Sequence, residues 1–132
     1  MNHSFLKNQE IDLETIVIET PRCTIEPFRM EGIDFDDLSL AFRGANENFY
    51  VSEYLPNTQE EKEFITSTLE DRKNGKAFEC FIFNKASRVI VGSIGISSLD
   101  TLEPNIGLWI RKEYHGKGYG TEVYTTMFEW IK

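Results

Sequence analysis

The feature that most constrains this chain is a glycine-rich stretch, residues 115–120, with the sequence HGKGYG. It lies between an apolar segment predicted to be a strand over residues 103–110 and an amphipathic segment predicted to be a helix from Thr121 onward. Glycines at alternate positions let the main chain turn sharply and approach a ligand closely. A helix that begins there directs its unpaired amide groups at one place, and its dipole favours an anion. The pattern therefore predicts a phosphate or pyrophosphate site, with a glycine-rich turn that binds nothing as the alternative.

Two familiar nucleotide motifs do not account for the stretch. The P-loop pattern G-x-x-x-x-G-K-[ST] occurs nowhere in the sequence. The dinucleotide pattern G-x-G-x-x-G has a different spacing and follows the first strand of a parallel unit, whereas this loop comes late in the chain. Both motifs are therefore excluded as explanations of the loop.

Composition restricts the class of protein. The 132 residues fit one domain, and 22 acidic against 14 basic residues give a formal net charge of −8. That charge disfavours a general affinity for nucleic acid or an acidic membrane, and no stretch of the sequence approaches the length of a membrane-spanning apolar run. The two cysteines, Cys23 and Cys80, lie far apart and outside any C-x-x-C pair, which predicts buried thiols and a reducing, cytoplasmic setting. With two histidines and no clustered cysteines, we expect no metal cofactor.

Periodicity and turn signals predict alternating strands and helices in a single domain over residues 1–132. Residues 1–14 are expected to form a polar lead-in without the basic start and apolar run of a signal peptide. The predicted elements are an extended segment over 15–29 broken at Pro21, a helix over 34–42, a helix from Gln59 that stops at Asn74-Gly75, a hairpin of strands over 77–84 and 89–98, a strand over 103–110 and a helix from Thr121. Because the middle strands are joined too tightly for crossovers, the sequence predicts an α/β fold whose sheet is mostly antiparallel and flanked by helices.

Three stretches of the sequence together resemble a known family. Residues 105–123, NIGLWIRKEYHGKGYGTEV, resemble the acetyl-CoA signature of the GNAT superfamily of N-acetyltransferases, with H-x-x-G-x-G at the places of its Gln/Arg-x-x-Gly-x-Gly/Ala pattern. The phrase IETPRCTIEPFR at 18–29 and the GSIG stretch at 92–95 are similar to the branch that contains the ribosomal-protein N-terminal acetyltransferases. The resemblance covers about residues 18–132. It implies an acetyl-CoA-dependent transferase whose acceptor is an amine of a protein N-terminus, a peptide or a small molecule.

The resemblance also implies how acetyl-CoA is held. The main chain of the strand before the loop would run beside the pantetheine arm, and the loop amides would hold the pyrophosphate. The residues concerned are Leu108, Trp109, Ile110, Gly116, Lys117, Gly118, Tyr119, Gly120 and Thr121. Lys117 either adds charge near the 3′-phosphate or faces solvent, and both remain open at this point. His115 stands where the family has Gln or Arg and is expected to be a polar group of the loop without a catalytic role.

Acetyl transfer needs a neutral amine, so a proton acceptor is expected close to the acceptor nitrogen. The resemblance implies an acidic residue where this sequence has Asn105, whose amide cannot take a proton at neutral pH. Glu103, two residues earlier and hence on the same face of a strand, is the predicted base, with a solvated loop carboxylate as the alternative. Tyr50, Glu53 and Tyr54 resemble the acceptor-side loop of the family, and the alternative for the aromatic residues is packing of helices on the sheet.

The family fold normally continues past the last predicted helix, whereas this sequence stops at Lys132. We therefore expect the usual C-terminal strands to be absent and Phe128 and Trp130 to lack their usual neighbours. Either a second copy would cover the exposed edge as a homo-oligomer, or the rest of the domain lies outside this sequence. Three hypotheses follow: an N-acetyltransferase, a shortened module that binds CoA or a protein partner without turnover, and a non-binding interaction fragment.

Overall fold

The computed structural model describes residues 15–38, 41, 58–98, 101–102 and 105–131. The strands are β1 (Ile18–Glu19), β2 (Cys23–Pro27), β3 (Phe78–Asn84), β4 (Ile90–Ser97) and β5 (Asn105–Ile110), and the helices are α1 (Thr58–Lys73) and α2 (Tyr119–Ile131). Residues 35–38 are also helical, and a 3₁₀ turn, Lys112–Tyr114, precedes the glycine loop. None of the helices in the described ranges is long and apolar enough to cross a membrane.

The strands of the described residues form one antiparallel sheet in the order β1-β2-β3-β4-β5. The predicted hairpin of β3 and β4 is present, and the side chain of Asn84 closes its turn by accepting hydrogen bonds from the amides of Ala86 and Ser87 at 2.9 and 3.1 Å. The α/β prediction of a mostly antiparallel sheet flanked by helices is therefore confirmed.

Both faces of the sheet are covered, which explains why the central strands are apolar at nearly every position. On one face, Cys80 of β3 packs in a buried cluster with Val123 and Met127 of α2. On the other face, Phe81 of β3 packs in a second cluster with Ile65 of α1. The predicted burial of the two free cysteines is also confirmed, since Cys23 and Cys80 are both buried.

The predicted break at Pro21 is confirmed, and one predicted boundary is wrong. A bend at residues 21–22 divides the extended segment expected over 15–29 into β1 and β2, and β1 pairs back on β2. Helix α2 begins at Tyr119 rather than at Thr121, because the amide of Glu122 donates to the carbonyl of Gly118 at 3.0 Å. Gly120 therefore belongs to the first turn of the helix and not to the loop.

Two aromatic residues lie near the end of α2. Trp130 lies three residues after Met127, on the same face of the helix, and its ring packs on Phe78 with 5.7 Å between ring centroids. The expectation that Phe128 and Trp130 lack the neighbours usually supplied after residue 132 stays a prediction. Phe128 is 44% exposed and stacks on Tyr124, with 6.4 Å between the centroids.

Candidate active site

A cavity of about 440 Å³ opens between the end of β5 and the glycine loop. Its lining consists of Leu108, Trp109, Ile110, Tyr114, His115, Gly116, Gly118, Tyr119, Gly120 and Thr121. The residues that the sequence assigned to the cofactor all lie here, except that the exposed Lys117 is not part of this lining. Tyr114 was not foreseen, and its ring packs edge-on against Tyr119 with 5.0 Å between centroids. The fold thus joins the strand end and the loop in one concave surface.

The glycine loop turns through two residues in the left-handed region. Gly116 has a φ of 72° and Gly118 a φ of 84°, which a β-branched residue adopts only with strain. The loop is also tied to the preceding strand, because the Nε2 of His115 donates a hydrogen bond to the carbonyl oxygen of Ile110. This hydrogen bond makes the imidazole a structural link between β5 and the loop.

The first turn of α2 supplies main-chain donors at the cavity. The amides of Tyr119, Gly120 and Thr121 precede the first bond of the helix, so they have no acceptor within it. A Cβ on Gly120 would lie 3.7 Å from side-chain atoms of Leu108 and Ile110, which means that it would occupy part of the cavity wall. Amides at this end of a helix, together with the positive end of its dipole, favour an anion.

Glu122 fixes the start of α2 to the opposite end of the sheet. One carboxylate oxygen, Oε2, accepts hydrogen bonds from the Thr20 hydroxyl at 2.6 Å and from the Arg22 amide at 2.8 Å. The other, Oε1, accepts from the Arg22 Nε at 2.7 Å. Burial raises the pKa of the Glu122 carboxyl, but these hydrogen bonds outweigh it, and the pKa is lowered from its ordinary value. The helix dipole favours an acid in the first turn, but the partners of Glu122 lie about a hundred residues away and have no local signal in the sequence.

Arg22 brings a positive charge to the rim of the cavity. Its guanidinium lies over the Tyr119 ring, 3.9 Å from the centroid. The Arg22 Nη2 is also 3.5 Å from the point where a Cβ on Gly118 would lie. In a chain with a net charge of −8, this placement gives the loop a cationic neighbour that the sequence did not predict.

Replacing Glu122 with Ala is expected to lower the free energy of unfolding by about 1–2 kcal/mol, because the buried Thr20 hydroxyl loses an acceptor. The pKa of Glu122 is lower in the folded chain than in the unfolded one, so its contribution is complete above the unfolded pKa. That contribution is lost as the pH falls through the folded pKa. Urea unfolding should therefore separate the variant from the wild type at pH 7 and less so in acid. Thr125→Ala, an exposed position of the same helix, is the control, and equal midpoints for Glu122→Ala and wild type at pH 7 would contradict this role.

The end of β5 is held by a second ion pair. The Arg111 guanidinium donates to the Asp37 carboxylate at 2.7 Å, and the other oxygen of Asp37 accepts from the Ile90 amide at 2.9 Å. The Arg111 amide donates to the Val91 carbonyl at 2.6 Å. The helical residues 35–38, β4 and β5 are thereby joined at the point where the cavity begins.

A family model of the acetyltransferase (GNAT) domain matches residues 22–132. The chain belongs to the GNAT family of acetyltransferases. The matched range includes β2 to β5, the glycine loop and α2, so the whole cavity lies in the part of the chain that defines the family. No curated protein matches the sequence at a significant level.

Solved acetyltransferase structures share the fold of this GNAT chain at low sequence identity. A structure assigned to a ribosomal-protein-serine acetyltransferase of Vibrio cholerae matches with a TM-score of 0.75 and 20% identity, over 89% of this chain and 67% of that one. The ribosomal-protein-S5-alanine acetyltransferase of Vibrio fischeri has a TM-score of 0.66 and 16% identity, over 88% and 67%. The microcin C7 self-immunity acetyltransferase MccE, in complex with acetyl-CoA and AMP, has a TM-score of 0.69 and 23% identity, over 83% and 62%. The chain thus spans about two thirds of the length of these proteins.

The acceptor side of this GNAT domain is described in part. Glu103, the predicted base, and the predicted acceptor residues Tyr50, Glu53 and Tyr54 lie outside the described residues, so these assignments stay predictions. Asn105, which stands where the family resemblance implied an acid, is exposed at the start of β5.

Proposed function

We propose that this GNAT domain binds acetyl-CoA in the cavity at the glycine loop and transfers the acetyl group to the amine of a peptide, a protein N-terminus or a small molecule. The observation that carries the proposal is the junction of a strand end with the amides of a helix N-terminus across a left-handed Gly118. The amides of residues 116–121 would hold the pyrophosphate, and Arg22 would add a positive charge beside it.

The position of β5 in the sheet supports the placement of the pantetheine arm. Within the described residues β5 is an edge strand that pairs with β4. An extended amide-bearing arm can pair with such an edge as an added strand does. The main chain of Leu108, Trp109 and Ile110 would therefore align the arm, and acetyl-CoA would supply the thioester carbonyl that the amine attacks.

An amine acceptor is supported by the chemistry of the chain. A net charge of −8 favours the approach of a cationic substrate such as an ammonium group. Two of the structurally similar proteins are acetyltransferases of ribosomal proteins, which makes peptide N-termini a first choice for testing. Glu103 as base and Tyr50, Glu53 and Tyr54 as acceptor contacts are part of this proposal, as is a cytoplasmic setting in which the buried Cys23 and Cys80 thiols stay reduced.

The proposal is tested by release of free thiol from acetyl-CoA in the presence of amines. Suitable probes are tripeptide amides that begin with Ser or Ala, spermidine, and the same tripeptides with an acetylated N-terminus as controls. We expect thiol release that requires the free amine, together with a product one acetyl group heavier by mass spectrometry. Binding of CoA without thiol release from any free amine would instead favour a module that binds CoA without turnover.

A further inference from the structure

One row of the sheet places a carboxylate beside an open stretch of β5. Glu79 of β3 pairs with Gly95 of β4, and Gly95 pairs with Gly107 of β5. Directly opposed residues of antiparallel strands project to the same face. Glu79 is two residues from Phe81 and therefore lies on the same face of the sheet, the one that α1 covers. The neighbouring row of paired residues on this face runs from Phe81 through Ser93 to Trp109.

The two glycines of this row leave room for the carboxylate and for a ligand. A Cβ on Gly95 would overlap both carboxylate oxygens of Glu79, so the side chain lies across β4 and is directed toward β5. At Gly107, no atom of the described residues lies within 4 Å of the point where a Cβ would be. Because neighbouring strands are about 4.8 Å apart, the carboxylate lies roughly one strand spacing from an open surface on β5.

The environment of Glu79 differs from that of the structural carboxylate in the same sheet. Glu26 is 7% exposed and accepts hydrogen bonds from Arg88, Arg29 and Thr24. Burial alone would raise the pKa of Glu26, but the effect of these donors is larger and lowers the pKa to about 2. Among the described residues, by contrast, none donates a hydrogen bond to the Glu79 carboxylate or forms an ion pair with it, and burial raises its pKa to about 7.

Among the residues that the structure describes, the charged and titratable groups around Glu79 do not neutralise it. Arg72 of α1 donates to the Phe28 carbonyl at 3.2 Å instead, and Phe28 in turn pairs through its amide with the main-chain oxygen of Glu79 at 3.0 Å. Cys80, on the opposite face, is buried as a thiol, and its pKa is raised by that burial and by the charge of Glu79. A partly exposed carboxylate with which no described residue pairs, one row of the sheet away from Trp109 of the cavity lining, is a candidate functional position.

We propose that Glu79 is a catalytic residue of this domain and takes the proton from the acceptor ammonium, a role that rests on the proposed acetyl transfer. The ammonium gives one proton to the carboxylate, and the freed lone pair forms the C–N bond to the thioester carbonyl carbon. The C–S bond breaks with its electron pair on sulfur, the second nitrogen proton ends on that sulfur as the CoA thiol, and protonated Glu79 returns its proton to solvent. A base whose pKa is near the working pH is suited to this step.

Glu79→Gln keeps the shape of the side chain and removes the base. With a Ser-initiated tripeptide amide and acetyl-CoA, kcat/KM should fall by about a hundredfold or more, while the CoA-dependent rise in melting temperature is retained. Gly95→Ala should also lower kcat/KM, because its methyl displaces the carboxylate with the charge retained. Glu19→Gln, an exposed carboxylate on the far edge strand, is the matched control and should leave turnover unchanged. Glu103, the base in the proposed function, is the competing candidate. A fall in kcat/KM in Glu103→Gln together with an unchanged kcat/KM in Glu79→Gln would overturn the assignment of this proton transfer to Glu79.

A second readout does not need turnover. The 13C resonance of the Glu79 carboxyl, assigned by its absence in Glu79→Gln, should titrate near pH 7, and the ammonium of the tripeptide should lower that midpoint in the CoA complex. A wild-type kcat/KM in Glu79→Gln, or a titration midpoint of the Glu79 carboxyl that the tripeptide does not change, would overturn the assignment. A failure of the proposed function shows differently, as a melting temperature that CoA does not raise in any variant.

Discussion

Gly92→Ala is expected to destabilise the protein by about 1–3 kcal/mol, because the new methyl group has no space beside β5. A Cβ on Gly92 would overlap the carbonyl oxygen of Trp109 and would lie 3.1 Å from the Cα of Ile110. These are main-chain atoms of a paired strand, so the strand itself must move away from β4. The movement would displace Trp109 and Ile110 from the cavity lining and weaken CoA binding as well.

Gly107→Ala is the matched control for this substitution. Gly107 lies on the neighbouring strand of the same pair, and no atom of the described part of the chain lies within 4 Å of the point where its Cβ would be. The free energy of unfolding of this variant should stay within about 1 kcal/mol of the wild type, since Gly→Ala at a compatible position also restricts the unfolded chain. Urea unfolding of both variants decides the point, and equal stabilities of Gly92→Ala and Gly107→Ala would contradict the close approach of β5 to Gly92.

The sequence predicted those parts of the fold that have local signals. Asn74-Gly75 ends a helix, the polar turn before Arg88 joins two apolar strands, and the loop at 115–120 leads into an amphipathic helix. These elements could be predicted because each signal depends on residues only a few positions apart. The residues that line the cavity could be located in the same way, because their strand, loop and helix are consecutive in the chain.

The contacts that complete the site could not be predicted, because they depend on the register between distant strands. Glu122 reads as an ordinary acid in a first turn until the fold brings Arg22 within 2.7 Å of it. Gly92 and Gly95 read alike in the sequence, yet one allows the approach of a strand and the other makes room for the Glu79 carboxylate. Only the pairing of β3, β4 and β5 separates these roles.

If the amides around Gly118 hold the pyrophosphate of CoA, as proposed, CoA should raise the melting temperature of the protein, which a thermal unfolding titration measures. The wild type should gain about 2.7 kcal/mol at a hundredfold excess of CoA over Kd, because a ligand that binds only the folded state stabilises it by mass action. Gly118→Val should lose this gain, since a branched side chain is strained at a φ of 84° and blocks the approach to the amides.

Gly32→Val is the control for backbone strain alone. Gly32 also has a positive φ, 70°, with no atom of the described residues within 4 Å of the point where its Cβ would be, and it is not part of the cavity lining. This variant should melt at a lower temperature than the wild type but keep the full CoA-dependent shift. A shift is therefore expected in the wild type and in Gly32→Val, and none in Gly118→Val. A wild-type melting temperature that millimolar CoA leaves unchanged, or an undiminished shift in Gly118→Val, would contradict pyrophosphate binding at these amides.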